Sequence, residues 1–175
     1  MKDIAVVYRS KSGFTKKYAE WIAEEANADL LLGKETKLDD LMPYKAIVYG
    51  GAFYAGGING IKLITDNYEK LKDKKLIIFC LGATPVRPEI YEEIKNKHLN
   101  PEQQQNIELY MFRGGFDYDK LTFIDKILMN ILKYQLKHKK DPTPDEVGML
   151  NSYSHPFDFT DKKQIKPIID SLKNL

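Results

Sequence analysis

Six consecutive residues, Ser10-Lys11-Ser12-Gly13-Phe14-Thr15, gather three hydroxyls, an ammonium and a glycine between an apolar run and a helical pattern. A loop there, at the carboxyl end of a first strand, aims its backbone N–H groups at the start of the following helix. Unsatisfied donors and the positive end of the helix dipole meet an anion at that point. Ser10, Ser12 and Thr15 can complete a shell around a terminal phosphate, and Gly13 permits close backbone approach or positive φ. A phosphomonoester suits such a cradle. The Gly-Lys-Ser/Thr ending of a nucleoside-triphosphate loop is missing, as are the three glycines of a dinucleotide loop. By itself the hexapeptide also reads as an ordinary helix N-cap.

Three further segments have the composition of ligand loops. Gly50-Gly51-Ala52-Phe53-Tyr54-Ala55-Gly56-Gly57 combines glycine with two adjacent aromatics, which can approach a ring or pack beneath the loop. Cys80-Leu81-Gly82-Ala83-Thr84-Pro85 and Gly114-Gly115-Phe116-Asp117-Tyr118 each follow an apolar run. The single cysteine, Cys80, excludes an internal disulfide and a multi-cysteine metal site, and its apolar neighbours assign it to core packing. His98, His138 and His155 lack metal-ligand spacing and read as surface residues. Asp117 and Asp119 are turn carboxylates that could act on a substrate or simply face solvent. No catalytic side chain and no metal site is assigned.

The elements that must hold these loops follow from hydrophobic patterning. Nearly continuous apolar runs at 4–8, 46–51, 76–81 and 107–112, with a weaker run at 28–32, alternate with helical stretches at 14–26, 61–71, 90–97 and 162–172. Strands that are apolar on both faces, separated by helices, are the pattern of βαβ units around a parallel sheet. The 175 residues are read as one domain, 1–175. Hydrophobic residues at 43% and charged residues at 30% suit a globular chain. No apolar run reaches the roughly 20 residues of a membrane span, and no secretory signal opens the sequence, so a cytoplasmic location is expected. With 27 basic against 25 acidic residues, the charge gives no sign of nucleic-acid binding.

Segment 117–158 is longer than a simple crossover needs. Its first part, 121–136, carries helical apolar spacing with a lysine-rich end, and its second, 141–156, holds Pro142, Pro144, Gly148 and Pro156 and reads as a loop. The lysine-rich apolar helix suits either packing on its own domain or, at most, a peripheral membrane contact.

The hexapeptide Ser10–Thr15, placed after the first strand, resembles the phosphate loop of the flavodoxin-like superfamily, and the resemblance extends over nearly the whole chain. It implies an α/β fold, a flavodoxin-like three-layer doubly wound sandwich. Its five-stranded parallel sheet would run in order 2-1-3-4-5, with a helical insert after the fifth strand. It also implies flavin mononucleotide (FMN) as cofactor. The phosphate would lie on Ser10, Lys11, Ser12, Gly13, Phe14 and Thr15, and the ring against Ala52, Phe53, Tyr54 and Gly56, then Leu81, Gly82, Ala83 and Thr84, then Gly115, Phe116 and Asp117. Tyr54 is the first choice for stacking on the ring and Phe53 the second; Gly56 or Gly57 could supply a carbonyl that turns toward the flavin.

A narrower resemblance, carried by Gly114–Leu121 and the helix after it, points to the quinone-dependent protoporphyrinogen oxidase branch. It implies an FMN-dependent oxidoreductase with a porphyrinogen substrate and a quinone or redox protein as electron partner. A flavodoxin shuttle between proteins, a flavin-free domain of the same fold and a scaffold for another phosphate ligand are the alternatives. Shuttle flavodoxins are typically strongly acidic, whereas this chain carries a formal charge of +2.

Overall fold

The structure is a computed structural model; it describes residues 2–54, 57–83, 85–121, 123–173 and 175, with only the backbone of Tyr54 and Asp145. Strand β1 (Ile4–Arg9) leads through the Ser10–Gly13 loop into helix α1 (Phe14–Glu25), followed by β2 (Asp29–Leu32) and the short α2 (Leu38–Leu41). Next come β3 (Ala46–Tyr54), the two-residue β4 (Gly57–Ile58), α3 (Lys62–Thr65), α4 (Tyr68–Leu71) and β5 (Lys75–Gly82). Helices α5 (Pro88–His98) and α6 (Pro101–Asn106) precede β6 (Ile107–Arg113). The insert then runs from β7 (Gly115–Phe116) through a 3-10 turn (Tyr118–Lys120), α7 (Phe123–Lys137) and α8 (Pro144–Ser152) to β8 (Phe157–Asp158). A 3-10 turn (Lys162–Ile165) and α9 (Lys166–Leu172) end the fold.

Five strands pair in parallel in the order β2-β1-β3-β5-β6, the doubly wound arrangement that the sequence implied. Alternate strand residues face opposite layers, so both strand faces must be apolar. Val6, Val48, Ile77 and Phe79 pack with Tyr18, Ile22, Ile168 and Leu172 on the α1 and α9 side. Ala5, Val7, Ile47, Tyr49, Ile78 and Cys80 pack with Ile64, Leu71 and Ile94 on the other. Burial pushes the Cys80 thiol up to about 12, which leaves it protonated and inert at neutral pH.

Four local differences from the sequence reading have physical causes. The helix expected over 61–71 is divided into α3 and α4 at Asp66-Asn67, where the Asn67 side chain donates to the Leu63 carbonyl at 3.0 Å and competes with helix continuation. The loop expected over 141–156 contains α8. Thr143 Oγ accepts from the Glu146 N–H at 3.3 Å and the Glu146 carboxylate accepts from the Thr143 N–H at 2.7 Å, a capping box with Pro144 in the first turn. Strand β3 continues to Tyr54 and pairs antiparallel with β4. Finally His98, expected at the surface, is half-buried with its Nε2 shielded from solvent.

Candidate functional site

The carboxyl ends of β1, β3 and β5 meet where the sheet order reverses, and an open α/β sheet offers its ligand crevice there. Gly13 caps α1 with φ of 94° and no side chain caps the helix, so its first-turn N–H groups point out of the loop. That positive φ is why glycine stands here. The Ser10 hydroxyl accepts from the Gly13 N–H at 3.0 Å and tightens the turn, while Thr15 is buried in the first helical turn. Ser12, Phe14 and Thr15 face the same cavity.

The other walls come from the predicted loops. Ala52 and Phe53 at the end of β3, Leu81, Gly82 and Ala83 at the end of β5, and Gly115 and Phe116 of β7 all line that cavity. The Tyr54 side chain, Gly56 and Thr84 lie outside the described residues. Glycine at position 50 serves packing rather than ligand approach, because a Cβ there would sit 2.1 Å from the Phe79 ring. Asp117 stands apart from the cavity: it accepts from the Asp119 N–H at 3.1 Å and pairs with Lys120 at 3.0 Å, and the bond from Lys120 holds its carboxyl below the usual range.

What the sequence did not reveal is the cover. Leu121, Asp125 and Met129 of the α7 region and Met149 of α8 close the cavity from the insert side, and Gly114 completes the β6 end. Asp125 is only 3% exposed and its carboxylate meets the Lys11 ammonium at 2.5 Å, tying the insert to the phosphate loop across 114 residues of sequence. The cavity volume is about 150 Å³, below the roughly 300 Å³ of an ordinary small-molecule pocket. Lys11 lines the cavity as well, and its ammonium, which has three N–H donors and gives one to Asp125, stands with the backbone amides and hydroxyls as a donor for a phosphate.

A groove of about 310 Å³ adjoins this cavity and shares Ala83 and Met149 with it. Its remaining walls are Pro85, Pro144, Gly148, Phe157 and Phe159, with Arg113 as the one ionic side chain among the described residues. The Arg113 guanidinium lies 3.5 Å from the Phe159 ring centre, and its Nε is buried without a hydrogen-bond partner among the described residues. β7 and β8 hold this wall by pairing Phe116 with Phe157. Among the described residues no group of acidic, histidine or cysteine side chains could hold a metal ion, and no helix is long and apolar enough to cross a membrane.

An open α/β sheet with an anion cradle at its switch point and a glycine-walled cavity beside it defines a nucleotide- or flavin-binding protein of the doubly wound class. Residues 5–143 match the family described as "Flavodoxin domain", and the chain belongs to that family. FMN is therefore its cofactor, and the uncapped α1 start with the Ser12 and Thr15 hydroxyls is a donor set that fits the phosphate. Similar solved structures include a WrbA-like flavodoxin from Agrobacterium tumefaciens, with 22% identity over 70% of this chain and 87% of that one at a TM-score of 0.48. A flavodoxin from the domain Archaea shares 18% identity over 97% of this chain and 98% of that one, at a TM-score of 0.46. Flavodoxin of Megasphaera elsdenii shares 20% over 63% and 84%, at 0.47. A comparison with curated proteins returned no match.

Proposed function

We propose that this flavodoxin-domain protein is an FMN-dependent oxidoreductase of the protoporphyrinogen-oxidase-like kind, passing electrons from a porphyrinogen to a quinone. The observation that carries this reading is the groove beside the flavin cavity. Apolar walls and the Arg113 guanidinium suit a flat, largely apolar molecule bearing a carboxylate or carbonyl oxygen. A carrier that only docks on proteins has no need of such a groove.

When bound, FMN supplies the hydride or single-electron chemistry. Ser12, Thr15 and the α1 N–H groups would hold its phosphate, Phe53 and Phe116 would stand beside its ring, and the insert would exclude water from the cavity. Arg113 orients the second molecule through its guanidinium, held flat by Phe159.

Anaerobic mixing of the FMN-loaded protein with protoporphyrinogen IX and a menaquinone analogue tests the reading, followed by porphyrin fluorescence and the flavin absorption bands. Porphyrin should form in excess of what the bound oxidised FMN can itself accept only when protein and quinone are both present, because the quinone must reoxidise the flavin for each further electron pair taken from the porphyrinogen. Arg113→Met should slow porphyrin formation by about tenfold or more, the loss expected for one charge-assisted hydrogen bond, with FMN retained. A flavin that exchanges electrons with neither molecule would leave the protein-to-protein shuttle as the better account.

A further inference from the structure

Helix α7 is apolar on two sides. Its inner side, with Asp125, Met129 and Leu136, is buried against the domain. Its outer side carries Phe123 at 79% exposed, Ile124 at 70%, Ile127 at 45%, Leu128 at 47%, Ile131 at 52% and Tyr134 at 67%. At 100° per residue these six cover one continuous arc of the helix, over nearly its full 15 residues. Scattered exposed apolar residues need no explanation, but a contiguous stripe of this size on a soluble domain marks an interaction surface.

The flank of the stripe tells what covers it. Lys126, Lys133 and Lys137 fall together beside the apolar arc, and His138, Lys139 and Lys140 follow at the carboxyl end. Lys126 lies 5.5 Å from the Tyr118 ring centre and Lys133 4.7 Å from that of Tyr153, so both stems run along the protein rather than into the stripe. Residues 117–140 hold six lysines against three aspartates; Lys120 pairs with Asp117, Lys139 with Glu146 and Asp125 with Lys11, so the positive charge beside the stripe rests on Lys126, Lys133, Lys137 and Lys140. An apolar face bordered by lysine is the pattern of a helix lying in the plane of an anionic lipid surface. Antiparallel two-fold pairing with a second copy would instead bring the same lysine edges together.

We infer that α7 is a membrane-docking helix which seats the protein on an anionic lipid bilayer by its Phe123–Tyr134 face. The inference stands on α7 alone and does not require the role given to Arg113. Its consequence is positional: the opposite side of α7 walls the flavin cavity, so docking brings that cavity within one helix diameter, about 10 Å, of the lipid.

Sedimentation of the FMN-loaded full chain tests it, with vesicles of phosphatidylcholine mixed with phosphatidylglycerol and with vesicles of phosphatidylcholine alone. The protein should pellet with the mixed vesicles and partition onto them about tenfold more strongly than onto neutral ones, less so in high salt. Ile124→Glu with Ile131→Glu should abolish binding while FMN and the circular dichroism spectrum are retained. Lys137→Gln with Lys140→Gln should weaken it about tenfold, and this exposed pair keeps the test when the isoleucine variant fails to fold. Protein that stays in the supernatant with every vesicle overturns the inference. So does a dimer in light scattering that the isoleucine substitutions dissociate, since a second copy would then cover the stripe.

Discussion

Ser12 and Thr15 face the cavity from either side of the glycine that opens α1. A hydroxyl bonded to a charged phosphate contributes about 1.5–3 kcal/mol. Ser12→Ala combined with Thr15→Val, which keeps the buried volume of Thr15, is expected to weaken FMN binding by at least about a hundredfold. Flavin fluorescence quenching measures this directly, and unchanged affinity would remove both hydroxyls from the phosphate site. Lys11 lines the same cavity and has a second partner. Its ion pair with the buried Asp125 makes it a fastener between loop and insert.

At the scale of elements, the insert sets access. α7 and α8 wall one side of the cavity of about 150 Å³, and the buried Met129 is one of its lining side chains. Met129→Ala is expected to enlarge the cavity and speed FMN association in stopped-flow fluorescence, at some loss of thermal stability. An unchanged association rate would mean that α7 does not gate entry. β7 and β8 anchor the insert at both ends by pairing Gly115 with Asp158 and Phe116 with Phe157, which explains how it returns to the sheet edge.

Across the whole molecule, Glu108 of β6 joins three elements. It accepts from Lys75 of β5, from Tyr110 at 2.7 Å and from Ser171 of α9 at 2.9 Å. Burial alone would push its carboxyl up, but these hydrogen bonds and the Lys75 charge outweigh burial and the net displacement is downward. Tyr110 moves the other way, to about 12, through burial and its bond to Glu108. A carboxyl whose folded value is depressed stabilises the fold above its unfolded value, near 4.3, and that contribution fades as pH falls through the lower folded value. Melting temperatures should therefore decline below about pH 4.3 in the native chain. Glu108→Gln should be less stable at neutral pH and show a shallower acid decline; identical profiles would mean that Glu108 carries none of the pH dependence.

The alternation of doubly apolar strands with amphipathic helices settled the class of fold in advance, because a strand covered on both faces must be apolar throughout. The hexapeptide Ser10–Thr15 marked the anion cradle, since a helix start after a first strand exposes its donors whatever else the chain does. Even α8 was written locally, in Thr143-Pro144-Asp145-Glu146, though the prolines around it read as a loop. What no local pattern carried was how the insert meets the domain. Asp125 finds Lys11 across 114 residues, Met129 and Met149 enclose the cavity, and Arg113 comes to face a groove whose walls are drawn from β8 and α8. Nor could periodicity say which apolar side of α7 turns inward, because both sides are apolar and only packing against the domain chooses between them. Sequence thus determined the sheet and the cradle, where each residue answers to its neighbours; tertiary structure decided the cover, the groove and the exposed stripe, where partners are distant in the chain.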